Sequence, residues 1–178
     1  MDYRDLHKYQ LKMIDWMLAN KRCALWAGVG LGKTVTALTA VERLILNKQV
    51  NKVLIIAPLR VAKFVWPSEI PKWDHLKHMQ CTVIHGPRKT REGLIQSDHR
   101  IHVINKENVD ELAKTRHWPY DCVVIDESSA FKNPKSKRFK ALRQAKHKID
   151  RLIELTGTPA SNGLMDIWAQ IHLLDGGE

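Results

Sequence analysis

Six short runs of almost unbroken apolar character punctuate this chain, at positions 23–27, 53–57, 81–84, 101–104, 122–125 and 152–155. Continuous rather than alternating hydrophobicity marks a strand covered on both faces, and four or five residues is a strand's length rather than a helix's. Several intervening segments are long enough for helices, and strand-then-helix succession predicts a mostly parallel sheet with helices on each side, an α/β fold. The helical periodicity agrees. Leu6, Tyr9, Gln10, Met13, Ile14, Met17 and Leu18 recur at spacings of three and four, as do Val35, Leu38, Val41 and Ile45, and later Leu164, Ile167, Ile171 and Leu174. Pro67 and Pro71 should interrupt or bend a helix suggested over 61–73, and Pro134 should delay the next helix past Lys135.

No repeat or Gly/Ser/Pro linker divides the 178 residues, so one domain over 1–178 is expected. No stretch approaches the roughly 20 apolar residues of a bilayer span, and no membrane partner is expected. The first ten residues carry mixed charge and no apolar centre, unlike a secretory signal. Lys33 and 28 other cationic side chains bring Lys plus Arg to 29 against 19 acids, a formal charge of +10. That excess suits a polyanionic partner and a well-solvated surface equally well. Cys23, Cys81 and Cys122 are odd in number, share no metal-ligand spacing and lie in apolar runs, as buried thiols in a reducing cytoplasm would. The nine histidines show no repeated metal spacing either.

The segment with most chemistry is Trp26-Ala27-Gly28-Val29-Gly30-Leu31-Gly32-Lys33-Thr34, which follows an apolar run and opens an amphipathic helix. A Gly-rich turn lets successive backbone N–H groups converge on phosphate oxygens, and the helix amino end adds partial positive charge. Lys33 can then reach the β and γ phosphates, and Thr34 can ligate Mg²⁺. The strict pattern has Gly where Ala27 stands. A nucleotide hydrolase also needs one carboxylate for the metal and one to activate water, both at the carboxyl end of a neighbouring parallel strand. Asp126 and Glu127, directly after the run at 122–125, supply them: Asp126 to hold Mg²⁺, Glu127 to polarise water.

Further segments then fall in a familiar order, and the chain resembles the first RecA-like lobe of superfamily-two helicases, specifically Swi/Snf-type DNA translocase ATPases. Leu6-His7-Lys8-Tyr9-Gln10 is similar to the Q motif, and the resemblance assigns Gln10, with Tyr9 beside it, to adenine. Ala27 to Thr34 matches motif I, with Ala27-Gly28 where the family often has an acidic pair. Ala57-Pro58-Leu59 looks like motif Ia, with Trp66, Glu69 and Trp73 in the helix after it, a region that in the family touches the DNA backbone, which the resemblance carries to Pro58, Leu59 and Arg60. Asp126 to Asn133 is similar to motif II with its trailing Lys132-Asn133 and a later Ser136-Lys137, although Ser129 replaces the usual His. Thr156-Gly157-Thr158-Pro159-Ala160-Ser161-Asn162 matches motif III, whose Thr156, Gly157, Thr158 and Asn162 would couple nucleotide state to DNA.

The resemblance implies a RecA-like three-layer P-loop fold, ATP and Mg²⁺ as cofactors, sequence-independent contact with the double-stranded DNA backbone, and a second RecA-like lobe. That second lobe carries an arginine worth on the order of 10³ to 10⁵ in rate in related hydrolases. Residues 175–178 leave no room for it, as in a piece of a longer translocase or a natural single-lobe protein, so this chain should bind nucleotide better than it hydrolyses it. A non-enzymatic, nucleotide-gated DNA-binding module is the alternative. A GTP switch is disfavoured, because Asn47-Lys48, Asn51-Lys52 and Asn105-Lys106 lack the following Asp of the guanine signature. The basic run Lys132, Lys135, Lys137, Arg138, Lys140, Arg143, Lys146, Lys148, Arg151 reads as a phosphate contact. Of the six tryptophans, Trp16, Trp26, Trp73 and Trp168 read as core, and Trp66 and Trp118, each before a proline, fit either role.

Overall fold

The computed structural model describes residues 1–115, 118–160 and 165–175. All six apolar runs are strands: β1 Arg22–Trp26, β2 Val53–Ala57, β3 Cys81–Ile84, β4 Ile101–Asn105, β5 Cys122–Asp126 and β6 Arg151–Thr156. They form one sheet in the order β1-β6-β5-β2-β4-β3, and every neighbouring pair is parallel. The helices are α1 Lys8–Ala19, α2 Lys33–Leu46, α3 Trp66–Glu69, α4 Arg88–Ile95, α5 Val109–Lys114, α6 Lys137–Ala145 and α7 Met165–Asp175.

Helices cover both faces, which is why the strands carry no polar alternation. One core joins Ile14, Met17, Leu38 and Val41 of α1 and α2 to Val53, Ile55, Val103, Val124 and Ile153. The opposite core joins Phe139, Leu142, Ala169 and Leu173 to Leu54, Ile56, Ile104, Val123 and Leu152. Ile55 and Ile56 are both fully buried on opposite faces, each contributing on the order of 2 kcal/mol of apolar transfer. The prolines act as expected. The segment after β2 is broken into a π-turn at Val61–Val65, α3 and a 3-10 turn at Ile70–Lys72, and α6 starts only after its N-cap Ser136.

Three expectations fail on packing direction. Trp16, Trp26 and Trp168 are 52%, 48% and 52% exposed, while Trp66, Trp73 and Trp118 are buried. Trp16 lies about 200° around the helix from Ile14, on the far side of α1, and Tyr9 shares that outer side, stacked on His7. Trp26 ends β1, an edge strand with no neighbour beyond it among the described residues. In α7 the buried positions are Ala169, Gln170 and Leu173, and Ile171 faces out.

The basic run is also divided. Strands β5 and β6 are parallel, so residues 127–136 lie at the sheet's carboxyl edge, and Lys146, His147 and Lys148 lie at its amino edge, where they line a hollow with Lys21, Arg22 and Arg143. Arg151 is 6% exposed and makes no surface contact: its guanidinium donates to the carbonyls of Met17, Leu18 and Asn20 and to Gln49 Oε1. It serves the carbonyls at the end of α1, which have no partner within the helix.

Candidate nucleotide site

Three loops meet at the carboxyl edge. The Gly-rich loop leaves β1, the acidic turn leaves β5, and Thr156-Gly157-Thr158 leaves β6, which lies between those two strands. Trp26 is in register with Thr156, Asp126 with Leu155, and Ala27 N donates to Thr156 O at 3.1 Å. A side chain at Gly157 would meet Ala27 O at 3.5 Å and Val29 N at 3.6 Å, so this loop packs directly beneath the Gly-rich one.

Gly30 and Gly32 take φ of 82° and 70°, which turns the chain sharply into α2 with Gly32 as its N-cap. Lys33 Nζ donates to the carbonyls of Ala27 and Gly28 at 2.8 and 3.0 Å, so the ammonium lies over the loop. Gln10, 5% exposed, ties α1 to the same loop: its Oε1 accepts from His7 N at 2.8 Å and its Nε2 donates to Leu31 O at 3.4 Å. A Cβ on Gly32 would overlap the Gln10 amide. Gly32→Ala is therefore expected to cost about 2 kcal/mol or more, from positive φ and this overlap together, read as a lowered urea midpoint. An unchanged midpoint would show that the loop relaxes freely.

Val29, Gly30, Gly32, Lys33, Thr34, Glu69, Asp126 and Glu127 line one open cleft of about 320 Å³. Asp126 accepts a 2.9 Å hydrogen bond at Oδ2 from the Trp66 indole N–H. Burial pushes the Asp126 carboxyl above its ordinary range, and this indole bond opposes the rise. Glu127 has φ 57° and ψ 60°, a left-handed conformation costly for a residue with a side chain, and it aims the turn back toward the Gly-rich loop.

The predicted phosphate, metal and water-directing residues Gly28, Val29, Gly30, Leu31, Gly32, Lys33, Thr34, Asp126 and Glu127 are thus brought to one edge, with Gln10 against the loop from beneath. Pro58, Leu59 and Arg60 follow β2, and Lys132, Asn133 and Lys137 follow β5, an adjacent strand, so both predicted DNA segments sit on the same edge. Leu59, Arg60, Asn133 and Lys137 are exposed there. Of the predicted coupling residues, Thr156, Gly157 and Thr158 lie at this edge, with Thr158 N donating to Thr156 Oγ1 at 3.1 Å, and Asn162 lies outside the described residues. In the segment after β2, Glu69 lines the cleft and also accepts from Trp73 Nε1 and Lys72 Nζ, and Trp66 reaches it through its bond to Asp126. Ser128, Glu154 and Gln170 escaped sequence reading, although an acid inside the apolar run 152–155 was a visible signal.

An all-parallel six-stranded sheet between two helical layers is the architecture of a RecA-like lobe. The SNF2-related domain profile matches residues 9–177, and the chain belongs to that family. It is similar to the Sulfolobus solfataricus SWI2/SNF2 ATPase core solved in complex with dsDNA, at TM-score 0.84 and 28% identity over 97% of this chain and 36% of that one. Among curated relatives, putative protein p41 of Acyrthosiphon pisum secondary endosymbiont phage 1 is 40% identical over 181 residues, which is 96% of this chain and 39% of p41. The ATP-dependent DNA helicase DDM1 of Arabidopsis thaliana is 30% identical over 95% of this chain and 23% of its own length. Chromodomain-helicase-DNA-binding protein 7 of Gallus gallus is 28% identical over 97% of this chain and 6% of its own length. The chain therefore spans well under half of each of these proteins. Among the described residues no helix is long and apolar enough to cross a membrane.

Proposed function

We propose that this chain, as one domain over residues 1–178, is the ATP-binding lobe of a DNA-dependent ATPase of translocase type. The observation that carries the reading is the meeting of Lys33 and Thr34 with Asp126 and Glu127 in one cleft, on a fold shared with an ATPase core solved on double-stranded DNA. The donor set suits Mg-ATP: the positive-φ glycines would turn backbone amides toward phosphate, the Lys33 ammonium would offset its charge, and the Thr34 hydroxyl and Asp126 carboxylate would hold the metal. Bound Mg-ATP would supply the phosphoryl group and its metal. Lys33 offsets phosphate charge, Thr34 and Asp126 hold the metal, and Glu127 accepts a hydrogen bond from the attacking water and orients it. Gln10 and Tyr9 select adenine. Arg60, Lys132, Asn133 and Lys137, with the Pro58-Leu59 turn, contact the DNA backbone without reading sequence. A second RecA-like lobe supplies the arginine that full turnover needs.

Calorimetry with Mg-ATP, then phosphate release with and without duplex DNA, tests this. The chain should bind Mg-ATP and turn it over slowly, faster with duplex and less so as salt rises. Glu127→Gln should leave the binding heat and remove the residual turnover. Equal turnover in both forms would reject Glu127 as the water-orienting group, and binding without turnover in any form, second lobe supplied, would favour a nucleotide-gated DNA-binding module.

A further inference from the structure

Beneath the cleft a buried hydrogen-bonded span joins two of its three loops. Ser128, the residue after Glu127, is fully buried, and its hydroxyl donates to Gln170 Oε1 at 2.6 Å. Gln170, fully buried on α7, donates from Nε2 to Pro159 O at 2.8 Å. One amide therefore holds the acidic turn after β5 at its oxygen end and the Thr156–Pro159 loop after β6 at its nitrogen end. We propose that Gln170 is a positioning residue that couples the two, so that nucleotide bound beside Asp126 and Glu127 tightens the loop after β6. The proposal rests on the nucleotide reading of the cleft.

Two features support the coupling. Movement of either loop away from the other would cost this buried amide a hydrogen bond to Ser128 or to Pro159, which ties the two loops together. The Glu127 backbone already sits in a strained left-handed conformation, the kind of segment that has a second arrangement nearby.

Hydrogen exchange of the full chain with and without Mg-ATP tests the span, in wild type, Gln170→Met and Ser128→Ala. In wild type the peptide covering 156–160 should exchange at least about threefold more slowly on Mg-ATP, together with the amino end of α2. In Gln170→Met, a swap of similar length, Mg-ATP should bind within about threefold of wild-type affinity and still protect α2, and the response at 156–160 should vanish. Ser128→Ala, small enough to fold without crowding, should give the same result. A purely structural role would loosen 156–160 equally with and without ligand and leave the ligand-dependent difference intact, which would overturn the coupling. Absence of any Mg-ATP effect on wild-type α2 would instead refute the nucleotide site itself.

Discussion

Lys33→Ala should abolish the thermal stabilisation that Mg-ATP gives the wild-type chain, with affinity falling by about two orders of magnitude, or about 2.7 kcal/mol. Among the described residues lining the cleft, Lys33 is the one cation, and it faces the three carboxylates of Glu69, Asp126 and Glu127. A ligand carrying several negative charges enters that acidic surround only if an ammonium and its metal offset them. At 100 times the dissociation constant, ligand should stabilise the wild type by about 2.7 kcal/mol, a shift of several degrees in melting temperature. Without ligand the substitution removes only the part-exposed bonds to Ala27 and Gly28, so the basal melting temperature should move little. An unchanged Mg-ATP shift would rule out the loop as a phosphate site.

Glu154→Gln should make the protein more stable at pH 8 by about 2 to 4 kcal/mol and remove the fall in its stability between pH 6.5 and 8. Burial pushes the Glu154 carboxyl from its ordinary 4.5 up to about 8, with the nearby Ser128 hydroxyl opposing. Between these values the folded state holds a proton that the unfolded chain has released. The stabilising contribution is therefore complete below about 4.5 and is lost as pH rises, by at most about 1.4 kcal/mol per unit, until it levels off above about 8. His102 works in the opposite sense over part of this range. Burial lowers its imidazole from 6.5 to about 4, so its contribution grows as pH rises through that window. The difference between variant and wild type cancels the His102 contribution, so urea midpoints for the two proteins from pH 5 to 9 isolate Glu154. Parallel curves would show that Glu154 ionises as freely in the fold as in water.

Those two residues mark how far the sequence could be read. Lys33 was legible because its chemistry is local: a strand, a Gly-rich turn and a helix start within a dozen positions fix where its ammonium lies. Gly32 was legible for the same reason, since a sharp turn into a helix favours the residue without a Cβ. Glu154 was not, because an acid in an apolar run is harmless or costly depending on which helix packs over it. The tryptophans went wrong for a related reason. Bulk and apolarity argue for burial, but among the described residues no element covers Trp16 or Trp26, and Trp66 is buried with its indole N–H on the Asp126 carboxylate. The basic run 132–151 read as one stripe, and the α6 segment carries its two halves to opposite edges of the sheet.

What the residues settled alone was the position of six doubly covered strands with helices between them, and that of the Gly-rich loop and the acidic pair at strand ends. Each depends on periodicity or turn chemistry within a few neighbours. Strand order was left to the tertiary structure, because any permutation of six equally apolar strands would bury the same side chains. The order found sets β6 between β1 and β5, and from that placement follow the packing of Gly157 under the Gly-rich loop, the Arg151 contacts at the end of α1, and the reach of Gln170 from Ser128 to Pro159.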